Sequence, residues 1–114
     1  MNPVFNDQRR RCDQTEAWTQ LQAYYQDHAQ ALDLREAFAT DPHRHAQFTQ
    51  QAPHLFADLS KNLIDATSQR LLLDLARECG LEQYRDAMFA GAGINQSEGR
   101  SVMHWLLRQP PVGL

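Results

Sequence analysis

The 114-residue sequence contains only two cysteines, five glycines and five prolines. The chain has only two cysteines, Cys12 and Cys79, and they lie far apart in the sequence. This argues against a disulfide framework and against a Cys-x-x-Cys metal motif. No apolar run reaches the roughly 20 residues of a membrane-spanning helix, and no signal-peptide pattern opens the chain. We therefore expect a cytoplasmic protein in a reducing compartment, without a membrane partner.

Excess positive charge is also missing, since the formal net charge is −3. Nucleic-acid-binding proteins usually carry a clustered basic surface, so we expect no nucleic-acid partner. The run Arg9-Arg10-Arg11 is the local exception, and three arginines near a terminus are more typical of a solvated chain end. His43 and His45 suggest a metal site, but on a helix their side chains point about 200° apart. We predict an exposed histidine pair, no metal site and no cofactor.

Motifs for phosphate binding and nucleophilic catalysis are absent as well. Gly91-Ala92-Gly93 lacks the third glycine and the preceding strand that a dinucleotide or phosphate loop requires. No spacing of serine, histidine and aspartate, or of cysteine and histidine, indicates a catalytic arrangement. The sequence therefore predicts neither catalytic nor substrate-binding residues within this chain.

Helix signals, in contrast, recur from Thr15 onward. An amphipathic stripe follows that residue at three- and four-residue steps, formed by Trp18, Leu21, Tyr25, His28 and Leu32. We expect His28 to be packed and hydrogen-bonded on this stripe. Asp33 is a predicted cap of the Asp-x-x-Glu kind, and Asp41-Pro42 repeats the start signal. The helix after Pro42 is expected to include Phe48 and Gln51 and to end at Pro53.

Residues 54–64 are apolar without a clean period, which favours an extended or irregular segment, or a short strand, that crosses the core. Asp65 or Thr67 is expected to cap the next helix, with its apolar stripe around Leu71 and Leu75 and its end at Gly80. A further short helix over residues 81–90 should place four side chains inward: Leu81, Tyr84, Met88 and Phe89.

These patterns predict a mainly α fold, with several short helices and one irregular or short extended segment near 54–64. Residues 1–13 are polar and without a period, so they are expected to form a mobile N-terminal tail. Residues 14–109 form the predicted helical segment, and residues 110–114 its C-terminal end.

The stretch from Met88 to Arg108 is expected to end one helix, turn and begin another. Gly91 and Gly93 can adopt left-handed conformations that stop the first helix. The Asn95 side chain is then expected to cap the N-terminus of the new helix, with Glu98 as its capping-box partner. Ser97 is the alternative N-cap. In the new helix, Arg100 and His104 would share a face, pointing either at a substrate or partner or at the rest of a larger protein. We favour the second interpretation, a structural polar cluster formed by Asn95, Ser97, Glu98, Arg100 and His104.

This stretch resembles the signature region of the glucose-6-phosphate isomerase (phosphoglucose isomerase) family. The matching positions are Met88, Phe89, Gly91, Ile94, Asn95, Glu98, Arg100, Val102, His104, Leu107 and Arg108. Ser97 stands where the family has threonine, and it keeps the hydroxyl group. Ala92 and Gly93 depart from the family's Glu-Lys pair, and Trp105 and Leu106 from its small apolar residues. Two further patches agree in order, Asp58-Leu59-Ser60-Lys61-Asn62 and Thr15-x-x-Trp18-x-x-Leu21.

The resemblance implies that the chain is the N-terminal segment of a larger α/β enzyme of the sugar isomerase type. Such an enzyme interconverts glucose 6-phosphate and fructose 6-phosphate, in glycolysis and gluconeogenesis. The family's phosphate-binding Gly-Gly-Ser segment and its catalytic glutamate, histidine, lysines and arginine have no matching positions here. The sugar phosphate is therefore expected to bind only in the full-length enzyme.

A segment that normally lies on a larger body should leave an apolar face uncovered, with Met103, Trp105 and Leu107 as candidates. Exposed apolar patches promote association, so we expect dimers or swapped oligomers in isolation. The expected partner in the full-length enzyme is the remainder of the isomerase chain. The alternative function is a free-standing helical protein-interaction module that uses the same face.

Overall fold

The structure, a computed structural model, describes residues 9–110. Within that range, five α-helices and one β-hairpin form the regular structure, and three short 3₁₀ helices join them. The helices are α1 (Glu16–Asp27), α2 (Leu34–Thr40), α3 (Arg44–Gln47), α4 (Ala66–Glu78) and α5 (Leu81–Phe89), and the strands are β1 (Thr49–Ala52) and β2 (Leu55–Asp58). The 3₁₀ helices are Cys12–Gln14, Ala29–Ala31 and His104–Arg108. The mainly α class is therefore confirmed.

The described residues fall into two compact units. One unit holds residues 16–74, and the other holds the described residues up to Thr15 and from Leu75 onward. The predicted limits of the helical segment, 14–109, stay a prediction. Most of the predicted tail, residues 1–8, and residues 111–114 of the predicted C-terminal end lie outside the described residues.

Local cap signals predicted the helix starts correctly at two places. The Asp33 carboxylate accepts hydrogen bonds from the N–H groups of Arg35 (2.7 Å) and Glu36 (3.4 Å) at the start of α2. At α4 the cap is Asp65 rather than Thr67, because Asp65 Oδ1 accepts the N–H of Ser68 at 2.8 Å. The Ser68 hydroxyl in turn accepts the N–H of Asp65 at 2.8 Å, which completes a reciprocal box.

Replacing Asp33 with alanine should lower the free energy of unfolding by about 1 kcal/mol, since two N–H groups of α2 lose their acceptor. Urea unfolding followed by circular dichroism measures this change. Asp27→Ala is the matched control, because it removes a carboxylate from the C-terminal end of α1, where the helix dipole disfavours negative charge. An equal loss in both variants would show that Asp33 does not act as a cap.

The helix predicted to start at Asp41-Pro42 and to include Phe48 and Gln51 is wrong at both ends, because α3 covers only Arg44–Gln47 and its N-cap is His43. The Asp41 carboxylate accepts the N–H of His43 at 2.9 Å, but α3 ends at Gln47. Its continuation is β1, which pairs with β2 in an antiparallel register that places Gln51 opposite Phe56. Proline disfavours helical conformation in the residue before it, and β2 supplies cross-strand hydrogen bonds that a helical period does not reveal.

The hairpin refines the prediction for residues 54–64. The extended segment is confirmed as β2, but this strand does not cross the core, because Leu55 and Phe56 are 64% and 61% exposed. His54 makes the turn with a φ of 61°, a left-handed value that is uncommon for a residue with a side chain. His43 and His45 are exposed as predicted. No group of three or more potential metal ligands occurs among residues 9–110.

Large apolar side chains are more exposed than the helical patterns predict. In the unit of residues 16–74 the buried apolar residues are Ala17, Phe48 and Leu71. His28 is not packed inside but exposed, and its ring stacks on Tyr24 with centroids 5.0 Å apart. Leu81 and Phe89, which were predicted to point inward, are 60% and 50% exposed. Within residues 9–110, every helix is too short or too polar to cross a bilayer.

Candidate functional site

The second helix predicted from Asn95 or Ser97 is wrong. Asn95 and Arg100 instead pair as an antiparallel bridge, in which each backbone N–H donates to the other residue's carbonyl at 3.1 and 3.2 Å. Gly99 allows this turn because its φ is 63°, a left-handed conformation that interrupts a right-handed helix. Gly91 ends α5 with a φ of 77°, as predicted, but Gly93 does not share that conformation.

The predicted polar cluster is only partly brought together. The Asn95 side-chain oxygen accepts the Ser97 hydroxyl at 2.9 Å and the Glu98 N–H at 3.3 Å, so it caps a turn. His104 lies on the following 3₁₀ helix, and therefore Arg100 and His104 do not share a helical face. The side chains of Glu98, Arg100 and His104 are exposed. The docking role of the cluster stays a prediction.

The predicted apolar face around residues 103–107 has a different arrangement. Met103 and Leu107 are 38% and 87% exposed, as expected. Trp105 is half-buried instead, since its ring packs edge-on against Phe89 at 5.2 Å. The Trp105 indole N–H is buried and finds no acceptor among residues 9–110.

A buried arginine organises the unit of residues 16–74. Arg44 is only 3% exposed, and its guanidinium donates to the carbonyls of Ser60, Asn62 and Ile64, each at 2.9 Å. The Phe48 ring lies 4.7 Å from the guanidinium carbon. A planar group with five donors suits this task, because one side chain closes a loop through several backbone acceptors.

The loop that Arg44 holds follows Asp58, which is the last residue of β2 and the first residue of the matched patch Asp58-Leu59-Ser60-Lys61-Asn62. Asp58 Oδ1 accepts the backbone N–H of Ser60 at 2.9 Å and the Ser60 hydroxyl at 2.6 Å. The hydrogen bond from the Ser60 hydroxyl, followed by that from its N–H, lowers the pKa of Asp58. Ser60 is 1% exposed. The structure therefore gives this patch an architectural role that the sequence alone did not reveal.

Asp65 joins the loop to two helices. Its Oδ2 accepts the Tyr24 hydroxyl of α1 at 2.5 Å, while Oδ1 caps α4. Burial raises the pKa of Asp65, but the hydrogen bonds from Ser68 and Tyr24 together outweigh that effect and lower it. The hydrogen bond to Asp65 raises the pKa of Tyr24. The Asp65 carboxylate therefore has a structural role, because it connects α1 to the start of α4.

An open groove of about 550 Å³ lies beside the hydrogen bond between Tyr24 and Asp65. We call it the α1–α4 groove. Its large apolar lining residues include Trp18, Leu21, Tyr25, Leu63, Ile64 and Leu72, and its polar lining residues include Gln22, Gln26 and Ser68. Tyr25 and Leu63 are 55% and 64% exposed. The sequence predicted the helical stripes on both sides but not the space left between them.

A known protein family matches the part of the sequence that includes the patch beginning at Asp58 and the stretch from Met88 to Arg108. The phosphoglucose isomerase family model matches residues 58–112, from the Arg44-held loop to the region after the Asn95 turn. The resemblance predicted from the sequence is thus confirmed: residues 58–112 are similar to the phosphoglucose isomerase family.

Individual relatives agree over nearly the whole chain. It is 64% identical to glucose-6-phosphate isomerase of Albidiferax ferrireducens and 63% identical to that of Polaromonas naphthalenivorans, each over 89% of this chain and 19% of the relative. It is 55% identical to that of Leptothrix cholodnii, over 88% of this chain and 18% of the relative. The chain therefore spans about a fifth of the length of the curated relatives it matches. These matches favour a part of an isomerase over a free-standing interaction module.

Proposed function

We propose that this chain is the leading helical part of a glucose-6-phosphate isomerase, which interconverts glucose 6-phosphate and fructose 6-phosphate in the cytoplasm. The observation that carries the proposal is the 64% identity to the Albidiferax ferrireducens isomerase over 89% of this chain. The buried Arg44 and its loop support a scaffold role, since their polar groups bond to backbone.

The reaction itself is proposed to require the remainder of the isomerase chain. Moving a proton between C1 and C2 of the sugar needs a positioned carboxylate and a cation near the developing oxyanion. Glu98 and Arg100 are exposed on a turn, where water screens their charges. We therefore propose that the isolated chain is inactive, that the sugar phosphate binds only in the full-length enzyme, and that the isolated chain self-associates as a dimer through its exposed apolar surface.

A chimera tests the parent activity. The matched segment of the Albidiferax ferrireducens isomerase is replaced by the corresponding residues of this chain, and fructose 6-phosphate conversion is followed with a coupled dehydrogenase. We expect turnover within about tenfold of the unmodified enzyme, a loss of at most about 1.4 kcal/mol in transition-state stabilisation. The same enzyme with the segment deleted is the negative control. A folded chimera without activity would contradict the proposal.

The isolated chain should show no turnover above background in the same coupled assay, because a scaffold without a positioned base cannot abstract the proton. Sedimentation of the same sample reports its association state. Activity that copurifies with the chain through several chromatographic steps would overturn the predicted inactivity.

A further inference from the structure

The two cysteines, which are far apart in the sequence, lie in the same compact unit of the structure. Cys12 begins the first 3₁₀ helix, and Cys79 directly follows the last residue of α4. Arg9, three residues before Cys12, places its guanidinium carbon 4.6 Å from the centre of the Tyr84 ring on α5. The segment that carries Cys12 therefore runs beside the junction of α4 and α5, where Cys79 lies.

An open cavity joins these segments. Its volume is about 370 Å³, and its lining includes Arg9 from the N-terminal side and Cys79 and Tyr84 from the junction of α4 and α5. Arg9 also donates to the side-chain oxygen of Gln96 at 3.4 Å, which ties the N-terminal segment to a second element of the same unit. The cavity leaves room for a small solute beside Cys79.

Backbone hydrogen bonds hold both cysteines in place. The Cys12 carbonyl accepts the hydroxyl of the buried Thr15 at 2.7 Å, and the Cys79 N–H donates to the Leu75 carbonyl at 2.9 Å. Cys12 is exposed and Cys79 is half-buried, so a solute reaches Cys12 first. Burial, and then the charge of an ionised Cys12, raises the pKa of the Cys79 thiol. Because salt screens charges beyond about 10 Å, this influence indicates that the two sulfur atoms are near each other.

We propose that Cys12 and Cys79 form a reversible thiol–disulfide site that reacts with small-molecule disulfides of the glutathione class. The Cys12 thiolate attacks one sulfur of glutathione disulfide, which forms a mixed disulfide and releases one glutathione thiolate. Cys79 loses its proton to solvent and attacks the Cys12 sulfur, so that the second glutathione thiolate leaves. The two protein thiols are oxidised, one glutathione disulfide is reduced to two glutathione molecules, and the released protons return to their sulfurs. Reversible pairs of this kind are typical of redox sensing in reducing compartments.

Oxidation of the chain by glutathione disulfide tests the proposal. The remaining thiols are blocked with a maleimide, and mass spectrometry measures the intact mass and the peptide map. We expect a monomer that has lost two hydrogen atoms and a peptide pair joined through Cys12 and Cys79, both reversed by dithiothreitol. This product should exceed the glutathione adducts by at least about tenfold, because a nearby second thiol acts at a high effective concentration. In urea sufficient to unfold the chain, the excess should fall at least about tenfold, because the ends of a long loop rarely meet.

Single substitutions separate the two roles. Cys79→Ser should keep a persistent glutathione adduct on Cys12, whereas Cys12→Ser should be modified more slowly, since Cys79 is half-buried and its pKa is raised. Equal rates in the two variants would overturn the assignment of Cys12 as the first nucleophile. Glutathione adducts without a cross-link in the wild-type chain overturn the proposal, as does a cross-link that forms equally well in urea. A disulfide between two copies of the chain also overturns it.

Discussion

Replacing Arg44 with methionine should lower the free energy of unfolding of the chain by about 3 kcal/mol or more. Methionine fills a similar volume but donates nothing, so the carbonyls of Ser60, Asn62 and Ile64 lose a charged donor. The hydrogen bond to Ser60 is buried and those to Asn62 and Ile64 are half-buried, and a buried acceptor left without a partner costs about 1–3 kcal/mol. Urea unfolding monitored by circular dichroism measures the change in midpoint at constant slope.

Two further variants separate geometry from charge. Arg44→Lys keeps the charge but loses the planar fork, so we expect it to recover only part of the lost stability. Arg70→Met removes an exposed arginine whose partner is Asp74, four residues along α4, and should change stability by less than about 1 kcal/mol. Equal effects of Arg44→Met and Arg70→Met would show that the loop does not depend on Arg44.

Asp65→Ala should lower the free energy of unfolding by about 2 kcal/mol, because one substitution removes a helix cap and the acceptor of a tyrosine hydroxyl. Tyr24→Phe removes only the second of these interactions and should cost less. Combining both substitutions in a double-mutant cycle measures the energy of the Tyr24–Asp65 hydrogen bond. A purely additive result would mean that the two side chains do not interact in solution.

The stability contributed by Asp65 should also depend on pH. Its pKa is lower in the folded chain than in the unfolded chain, so the unfolded state binds the proton more tightly. The contribution is therefore complete above the unfolded value of about 3.9 and is lost as pH falls through the folded pKa. We expect Asp65→Asn to have a flatter stability profile than wild type below about pH 4. Asp58, whose pKa is also lowered, retains part of the slope.

Local signals predicted the parts of the fold that neighbouring residues decide. Asp33 caps α2 through N–H groups two and three residues away, and Gly80 ends α4 with a left-handed φ of 77°. The family resemblance was readable for the same reason, since it depends on the order of residue types and not on their contacts. It also identified the patch that begins at Asp58, although its structural role was not visible.

Tertiary structure decided whatever depends on residues that are distant in sequence. Arg44 stands between two histidines in a polar stretch, and only its donors to carbonyls 16 to 20 residues away make it a buried anchor. The β-hairpin is a different case, because its strands are close in sequence and the prediction failed by extending a helical pattern as far as Pro53. Periodicity and caps report energies within a few residues, whereas the closure of the loop around Arg44 takes its energy from partners that no local pattern encodes.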